Sequence, residues 1–305
     1  MTLPDFERHA RDRDPPDYHL RRMAVLLEAL GNPHLAVPTI HVAGSKGKGS
    51  TSAMIAAVLA AHDLTVGLYT SPHLHTVRER IRTGIRSVTE PDFAKLLYAL
   101  WPYIVEINSG QEMGRVSFFD AVTAMAFLHY KDIGADYQVI EVGLGGRLDS
   151  TNLVSPIVSV ITPIGLDHVA VLGNTLEEIA SDKAGIIKKR VPVVMARQPN
   201  SVRPVIAARA AKCDSSLHEA IDEIVVEKSE IGRIPGSPQK AILRSATNLY
   251  DLEIPLAGSH QLDNARTAIA VLEQLKTPKL PLQPSKIAKG FRNLEWPARV
   301  QILSN

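Results

Sequence analysis

The feature that most constrains the fold is a strand–loop–helix unit near the N-terminus of the chain. Residues 39–43 favour a short buried strand, and an alanine-rich helix is predicted to end near residue 62. Between them lies the glycine-rich loop GSKGKGST, residues 44–51. In such a unit several backbone N–H groups can point at one anion, beside the positive end of the helix dipole. The unit therefore predicts a phosphate-binding loop at the end of a parallel strand.

The spacing of this loop departs from the usual phosphate-binding pattern. That pattern has a glycine about five residues before the Gly-Lys pair, where this chain has Val42, and Gly44 is its nearest preceding glycine. Lys48 supplies a full positive charge, so we interpret the segment as a shortened P-loop. The residues expected to bind phosphate are Gly44, Ser45, Lys46, Gly47, Lys48, Gly49, Ser50 and Thr51.

Strand-like and helix-like segments alternate along most of the chain. Runs rich in valine and isoleucine that favour buried strands occupy residues 65–69, 137–142, 157–161 and 191–195. A capping box at 175–178 predicts a helix that runs to about residue 187. This alternation predicts an α/β fold with a mostly parallel sheet flanked by helices. Short strands at about 216–256 predict a small antiparallel sheet within the same domain, residues 1–305.

The composition narrows the classes of function. The 305 residues include 34 basic and 32 acidic ones, and a net charge of +2 gives no reason to expect binding to nucleic acid or to a membrane. No apolar run approaches the length of a membrane span, and residues 1–13 are charged, without a signal-peptide core. The single cysteine, Cys213, excludes an internal disulfide. We therefore expect a cytoplasmic protein.

Three further predicted strands are followed by side chains suited to phosphate and metal chemistry. Ser71 and His168 each follow a strand, and Glu141 lies near the end of another. Ligands bind beyond the carboxyl ends of parallel strands, so these residues are expected to lie near the loop. A buried carboxylate needs a cation, and a serine, a carboxylate and nucleotide phosphates suit Mg²⁺. Histidine is a less usual Mg²⁺ ligand, so chemistry alone leaves His168 unassigned.

Seven segments of the chain, in order, resemble the folylpolyglutamate synthase/dihydrofolate synthase branch of the Mur ligase superfamily. They are residues 44–50, 69–74, 141–149, 165–168, 182–188, 260–265 and 296–299. The resemblance implies a Mur-ligase-like ATPase domain and an ATP-dependent ligase. In the implied reaction, a folate or dihydropteroate carboxylate attacks the γ-phosphate of ATP and forms an acyl phosphate. The amine of L-glutamate then displaces phosphate, which leaves an amide and ADP.

The same resemblance implies roles for individual residues around two Mg²⁺ ions. Lys48 and the loop amides would hold the β- and γ-phosphates. Ser71 and Glu141 would bind one Mg²⁺, and His168 would help to bind a second. Lys183 matches a lysine that is carbamylated in the family, which would place a carboxylate-like group beside the second metal.

Two more residues are assigned by the resemblance near the end of the chain. Asn264 matches the residue that reads the adenine, and Arg299 matches one that reaches the phosphates across a domain junction. The family continues with a Rossmann-like C-terminal domain that helps to bind glutamate. We expect this domain to be absent here, which would make a separate chain carrying it a candidate partner and leave this chain with little activity of its own.

Alternatives remain open at this level. Another Mur-type amide ligase, such as a peptidoglycan-precursor synthetase, is less favoured because the loop begins at Gly44 and leaves no room for a preceding nucleotide-sugar domain. A catalytically incompetent nucleotide-binding remnant, or partner module, is the other alternative. The sequence does not separate dihydropteroate from reduced folate as the substrate. Arg78, Arg80 and Arg82 alternate along one segment, as in a solvated strand face or a surface for a polyglutamate tail.

Overall fold

An eight-stranded sheet lies at the centre of the fold. The computed structural model describes residues 18–110, 114–230, 237–275 and 280–298. The strands of this sheet are β1 (Thr39–Ala43), β2 (Val66–Tyr69), β3 (Ile81–Thr83), β4 (Arg86–Ser87), β5 (Tyr137–Glu141), β6 (Pro156–Ile161), β7 (Val193–Met195) and β8 (Leu217–Glu219).

The strand order confirms the predicted mostly parallel sheet. The order is β4-β3-β2-β5-β1-β6-β7-β8, and every pairing from β2 to β8 is parallel. The hairpin of β3 and β4 adds an antiparallel edge. The strands β2, β5, β1 and β6 are consecutive neighbours, so their carboxyl ends lie side by side. The residues that follow these four strands are therefore close together, as predicted.

Helices cover the sheet, and several begin at side-chain caps. Thr89 accepts a hydrogen bond from Asp92 N, and Ser117 and Thr175 form capping boxes. No helix among the described residues is long and apolar enough to span a membrane. The helices are α1 (Tyr18–Ala29), α2 (Lys48–Ala61), α3 (Glu90–Ser109), α4 (Phe118–Asp132), α5 (Val169–Leu172), α6 (Leu176–Lys183), α7 (Arg203–Lys212), α8 (Ala220–Glu223), α9 (His260–Leu275) and α10 (Pro284–Arg292).

Apolar clusters pack on both faces of the sheet. Successive residues of a strand point to opposite faces, and Val139 and Ile140 of β5 enter different clusters. The cluster around Val139 includes residues of α2, α9 and α10, and the cluster around Ile140 includes residues of α1, α3 and α4. α2 therefore packs between the sheet and the C-terminal helices, so the phosphate loop at its start is fixed to the central strand and to α9.

A second, three-stranded antiparallel sheet packs beside this core. Its strands are β9 (Val225–Glu230), β10 (Gln239–Arg244) and β11 (Leu249–Ile254), in the order β11-β10-β9. The sequence placed its beginning at about residue 216, but Leu217–Glu219 pairs in parallel with β7 and ends the large sheet. This edge strand has only three residues, all half-buried. Its apolar pattern is too short to show from the sequence which of the two sheets it joins.

Candidate active site

The loop between β1 and α2 presents N–H groups at the start of a helix. Gly44 has φ 150° and Gly47 has φ 80°, a region that favours glycine, and a methyl group at Gly44 would collide with the Thr162 hydroxyl. Thr51 N donates to Gly47 O, so the first helical hydrogen bond closes there. The amides of residues 48–50 have no partner within the helix and point out of its N-terminus, where an anion is favoured.

Two amides of the same loop serve the structure of the loop instead. Ser45 N and Lys46 N both donate to the carbonyl oxygen of Pro163, at 3.0 and 3.1 Å. The Ser45 hydroxyl donates to Gly165 O at 3.0 Å. The loop after β6 therefore already satisfies these two amides, and phosphate binding by the whole segment stays a prediction.

Glu141 joins the loop after β2 to the start of α2. Its side chain is 4% exposed, and its Oε2 accepts a hydrogen bond from Ser71 N at 3.1 Å. A methyl group at Gly49 would lie 3.5 Å from the same oxygen, so the carboxylate lies beside the first turn of α2. A carboxylate beside a serine and a phosphate-binding helix end fits Mg²⁺, which keeps several water and phosphate ligands. Ser71 and Glu141 are therefore suited to hold that ion.

A cavity of about 620 Å³ connects the phosphate loop to the first turn of α9. Asn264 is 4% exposed and contacts the loop, since a methyl group at Gly47 would lie 2.5 Å from its Oδ1. Its Nδ2 donates to Gln261 Oε1 at 3.0 Å. The lining residues are Ser45, Lys46, Gly47, Lys48, Gly49, Ser50, Ser71, Glu141, Pro163, His260, Gln261, Asp263 and Asn264.

Lys183, at the end of α6, is an almost fully buried lysine near the phosphate loop. Its side chain is 2% exposed, and burial, together with the charge of Lys48, lowers its pKa to about 8. The carboxylates of Asp167, Asp182 and Asp149 act in the opposite direction. A substantial fraction of this amine is therefore neutral near pH 8, which is the form that reacts as a nucleophile.

Glycines hold the Lys183 segment against the loop after β5. A methyl group at Gly146 would lie 2.7 Å from Lys183 O, and one at Gly185 would lie 2.6 Å from Arg147 Cα. Arg147 N donates to Asp182 O at 2.9 Å. The helix that was predicted to run to about residue 187 ends at Lys183. The chain continues as a 3-10 turn, Ala184–Ile186, where it lies against the backbone of the loop after β5.

His168 is a predicted metal ligand that lies outside the cavity. The His168 side chain is 52% exposed, lies 3.5 Å from Asp167 Oδ1 through Nε2, and does not line the cavity. Its link to the site is indirect, through Asp167, whose charge acts on Lys183. Arg299 lies outside the described residues. Within the described part of the chain, no group of three or more histidine, cysteine or acidic side chains is placed to hold a metal ion.

Sequence reasoning missed two residues beside the site. Asp149 accepts hydrogen bonds from Leu144 N and Thr151 N, both at 2.9 Å, and its charge acts on Lys183. Trp296 contacts Gly49 at the start of α2. Both residues belong to segments on which the family resemblance depends. The residues next to them in the sequence give no sign of the distant contacts with Lys183 and Gly49.

The arginine segment does not form the strand face that its alternation suggested, and its use as a surface for a polyglutamate tail stays a prediction. Arg78 and Arg80 lie in a 3-10 helix, Val77–Arg80, and only Arg82 lies in a strand. Arg80 is buried, donates to His73 Nδ1 at 3.0 Å and stacks over Phe118. The three side chains therefore do not form one strand face.

Comparison with known proteins agrees with this geometry. A family model described as the Mur ligase middle domain matches residues 42–272. The dihydrofolate synthase/folylpolyglutamate synthase of Bacillus subtilis is 36% identical over 289 residues, which cover 93% of this chain and 66% of that protein. The folylpolyglutamate synthase of Lacticaseibacillus casei is 36% identical over 287 residues, with the same two coverages. The chain thus spans just under two thirds of the length of these relatives.

Solved structures of such proteins superpose closely. A folylpolyglutamate synthase in complex with AMPPCP and folate gives a TM-score of 0.89 at 35% identity, and the match covers 97% of this chain and 72% of that one. An apo form gives the same TM-score and identity, over 97% of this chain and 71% of that one. The Mycobacterium tuberculosis folylpolyglutamate synthase complexed with ADP gives a TM-score of 0.87 at 32% identity, over 95% of this chain and 64% of that one.

Proposed function

Because the chain belongs to the Mur ligase middle-domain family, we propose that it binds ATP with Mg²⁺ and provides the phosphate-binding part of a ligase that joins L-glutamate to a folate or dihydropteroate carboxylate. The observation that carries the proposal is the cavity of about 620 Å³, in which Lys48, Ser71, Glu141 and Asn264 meet. Similar proteins have been solved with AMPPCP and folate or with ADP, which supports the choice of ligands.

The proposed chemistry requires an anionic carboxylate to approach the anionic phosphates of ATP. The amides of residues 48–50 and the Lys48 ammonium would hold those phosphates and offset the repulsion. Mg²⁺ held by Ser71 and Glu141 would supply further positive charge. The carboxylate oxygen attacks the γ-phosphorus as the bond to ADP breaks. The glutamate amine then attacks the acyl carbon, loses a proton, and displaces inorganic phosphate.

A second Mg²⁺ would depend on a change in Lys183. A lysine amine offers no anionic oxygen to a hard cation, whereas a carbamate does. The neutral fraction of Lys183 makes carbamylation feasible, and His168 lies beside Asp167 in the same neighbourhood. We assign the second ion to the carbamate and His168, and the base of the nucleotide to Asn264. Arg299 would add a cation at the phosphates.

Full turnover is proposed to need a further domain over this cavity, on the same polypeptide or on a separate one. The relatives are longer than the part that this chain matches, which supports this view. We also propose that the chain forms a single nucleotide-binding domain that includes the small antiparallel sheet.

Nucleotide binding tests the proposal directly. Calorimetric titration with MgADP should show one site, and Lys48→Met should weaken binding by about a hundredfold, since a hydrogen-bonded charge is lost. Lys95→Met, on the exposed face of α3, is the matched control and should bind normally. Absence of binding to the unaltered chain would contradict the proposal. Release of ADP that requires both glutamate and dihydropteroate or tetrahydrofolate would identify the acceptor and would show that no further domain is needed.

A further inference from the structure

The indole of Trp296 touches the phosphate and metal site from outside the cavity. A methyl group at Gly49 would lie 3.1 Å from Trp296 Cζ2 and 3.5 Å from Glu141 Oε2. The indole edge, the first turn of α2 and the carboxylate at the end of β5 therefore meet at one point. Trp296 also lines a small cavity of about 40 Å³ with Thr70 and Pro72, which flank Ser71.

Neighbouring elements fix the position of this ring. The Arg82 guanidinium lies 5.1 Å from the ring centroid, in a cation–π contact, and its Nε donates to Glu79 O at 2.9 Å. The preceding helix α10 packs on α2 so closely that a methyl group at Gly290 would lie 2.6 Å from Val58 Cα. The indole is therefore held between the β3 segment and α2.

The ring nitrogen of Trp296 has an unused donor. Nε1 is buried and has no hydrogen-bond partner among the described residues. A buried N–H without an acceptor is destabilising, and a phenylalanine would fill similar space without that cost. Nε1 and Cζ2 are both bonded to Cε2, so the N–H lies on the same edge of the indole as the atom that contacts Gly49. The donor therefore lies on the indole edge that is nearest to Gly49.

We propose that Trp296 Nε1–H donates a hydrogen bond to an anionic oxygen, phosphoryl or carboxylate, of the ligand bound beside Gly49 and Glu141. This inference rests on the proposed function, because it takes its ligand from that reaction. It adds to the site a specific binding group, supplied by the segment that follows α10. Arg82 holds the indole in place through the cation–π contact.

The test uses the full chain with Trp101→Phe, which leaves Trp296 as the only tryptophan. Adding Trp296→Phe to this background should leave the melting temperature of the ligand-free protein unchanged or higher, because a buried unpaired donor is removed. The affinity for the ligand that carries the acceptor should fall about tenfold, as expected for a lost hydrogen bond to a charged group. Calorimetry is run with Mg-AMPPCP, MgADP and dihydropteroate.

The three ligands separate the sources of the oxygen. Weaker binding of both nucleotides assigns it to the α- or β-phosphate, and weaker binding of AMPPCP alone assigns it to the γ-phosphate. Weaker binding of dihydropteroate assigns it to a carboxylate. Equal affinities of the two proteins for all three ligands would overturn the inference. Failure of the Trp101→Phe protein to bind any of them would instead overturn the proposed function, and this inference with it.

An NMR measurement covers the case in which Trp296→Phe fails to fold. In the Trp101→Phe protein labelled with ¹⁵N, one indole N–H signal remains, and a new hydrogen bond to an anion should move its proton resonance downfield at saturating ligand. An unmoved signal at saturation with all three ligands would overturn the inference without any change at position 296.

Discussion

The proposed carbamylation of Lys183 can be tested through pH and carbon dioxide. Burial and the charge of Lys48 lower the pKa of this lysine to about 8 from an ordinary value of 10.5. At pH 8 about half of the amine is neutral, against roughly 0.3% of an ordinary lysine, so its reactive fraction is more than about a hundredfold larger. At pH 6.5 the neutral fraction should fall to about 3%.

The assay is carbon-13 NMR with labelled bicarbonate. The neutral amine attacks carbon dioxide, forms a carbamate and releases a proton, so a carbamate resonance should appear at pH 8 and weaken at pH 6.5. Lys183→Arg should abolish the resonance, because a guanidinium stays charged. Lys188→Arg is the matched control, since the pKa of Lys188 is also lowered by burial but its Nζ donates to Asn152 O at 2.8 Å. A carbamate spectrum that is unchanged in Lys183→Arg would refute the assignment.

The same shift predicts how stability depends on pH. The folded pKa of Lys183 is below its unfolded value, so the unfolded state binds more protons between about pH 8 and 10.5. The free energy of unfolding should therefore rise with pH across this window, and Lys183→Met should flatten that rise. Urea unfolding of the two proteins at several pH values measures the difference.

Two further substitutions test the packing around the site. Gly146→Ala places a methyl group 2.7 Å from Lys183 O, so it should lower the free energy of unfolding by about 1–3 kcal/mol in urea and weaken the carbamate signal. Asp120→Asn leaves Arg22, 2.8 Å from Asp120 Oδ2 in a buried pair, without its carboxylate, and should lower the same free energy by about 3–5 kcal/mol. A melting temperature within a degree of the unaltered chain would count against either argument.

Local patterns were sufficient for the elements that carry the phosphate site. The strand at 39–43 has its predicted bounds, because Pro38 and Gly44 mark its two ends in the sequence. The four strands whose ends were predicted to carry the site are neighbours in the sheet. Because they run parallel, their carboxyl ends lie at the same edge. The edge strand at 217–219 was misplaced, because three half-buried residues carry too little pattern to identify a partner.

Contacts between distant segments were not predictable in the same way. Arg80 reads as part of an alternating strand, yet it is buried against Phe118, which lies 38 positions further along the chain. Lys183 reads as a basic residue in the last turn of a helix, a position usually exposed. Its burial comes from Gly146, whose lack of a side chain allows two backbones to meet. The burial of these two side chains depends on which distant segments pack together, and the sequence of either segment does not identify the other.

The two lysines near the phosphate site illustrate why residue type alone does not assign a role. Lys48 is half-buried at the start of α2 and lines the cavity, whereas Lys183 is almost fully buried behind it. The positive charge of Lys48 opposes a second charge at Lys183 and lowers its pKa. Phosphates bound at Lys48 would offset that effect and favour the protonated amine, unless the carbamate has already formed. It follows that carbamylation should precede nucleotide binding, and that prior saturation with ADP in the absence of Mg²⁺ should slow the appearance of the carbamate resonance.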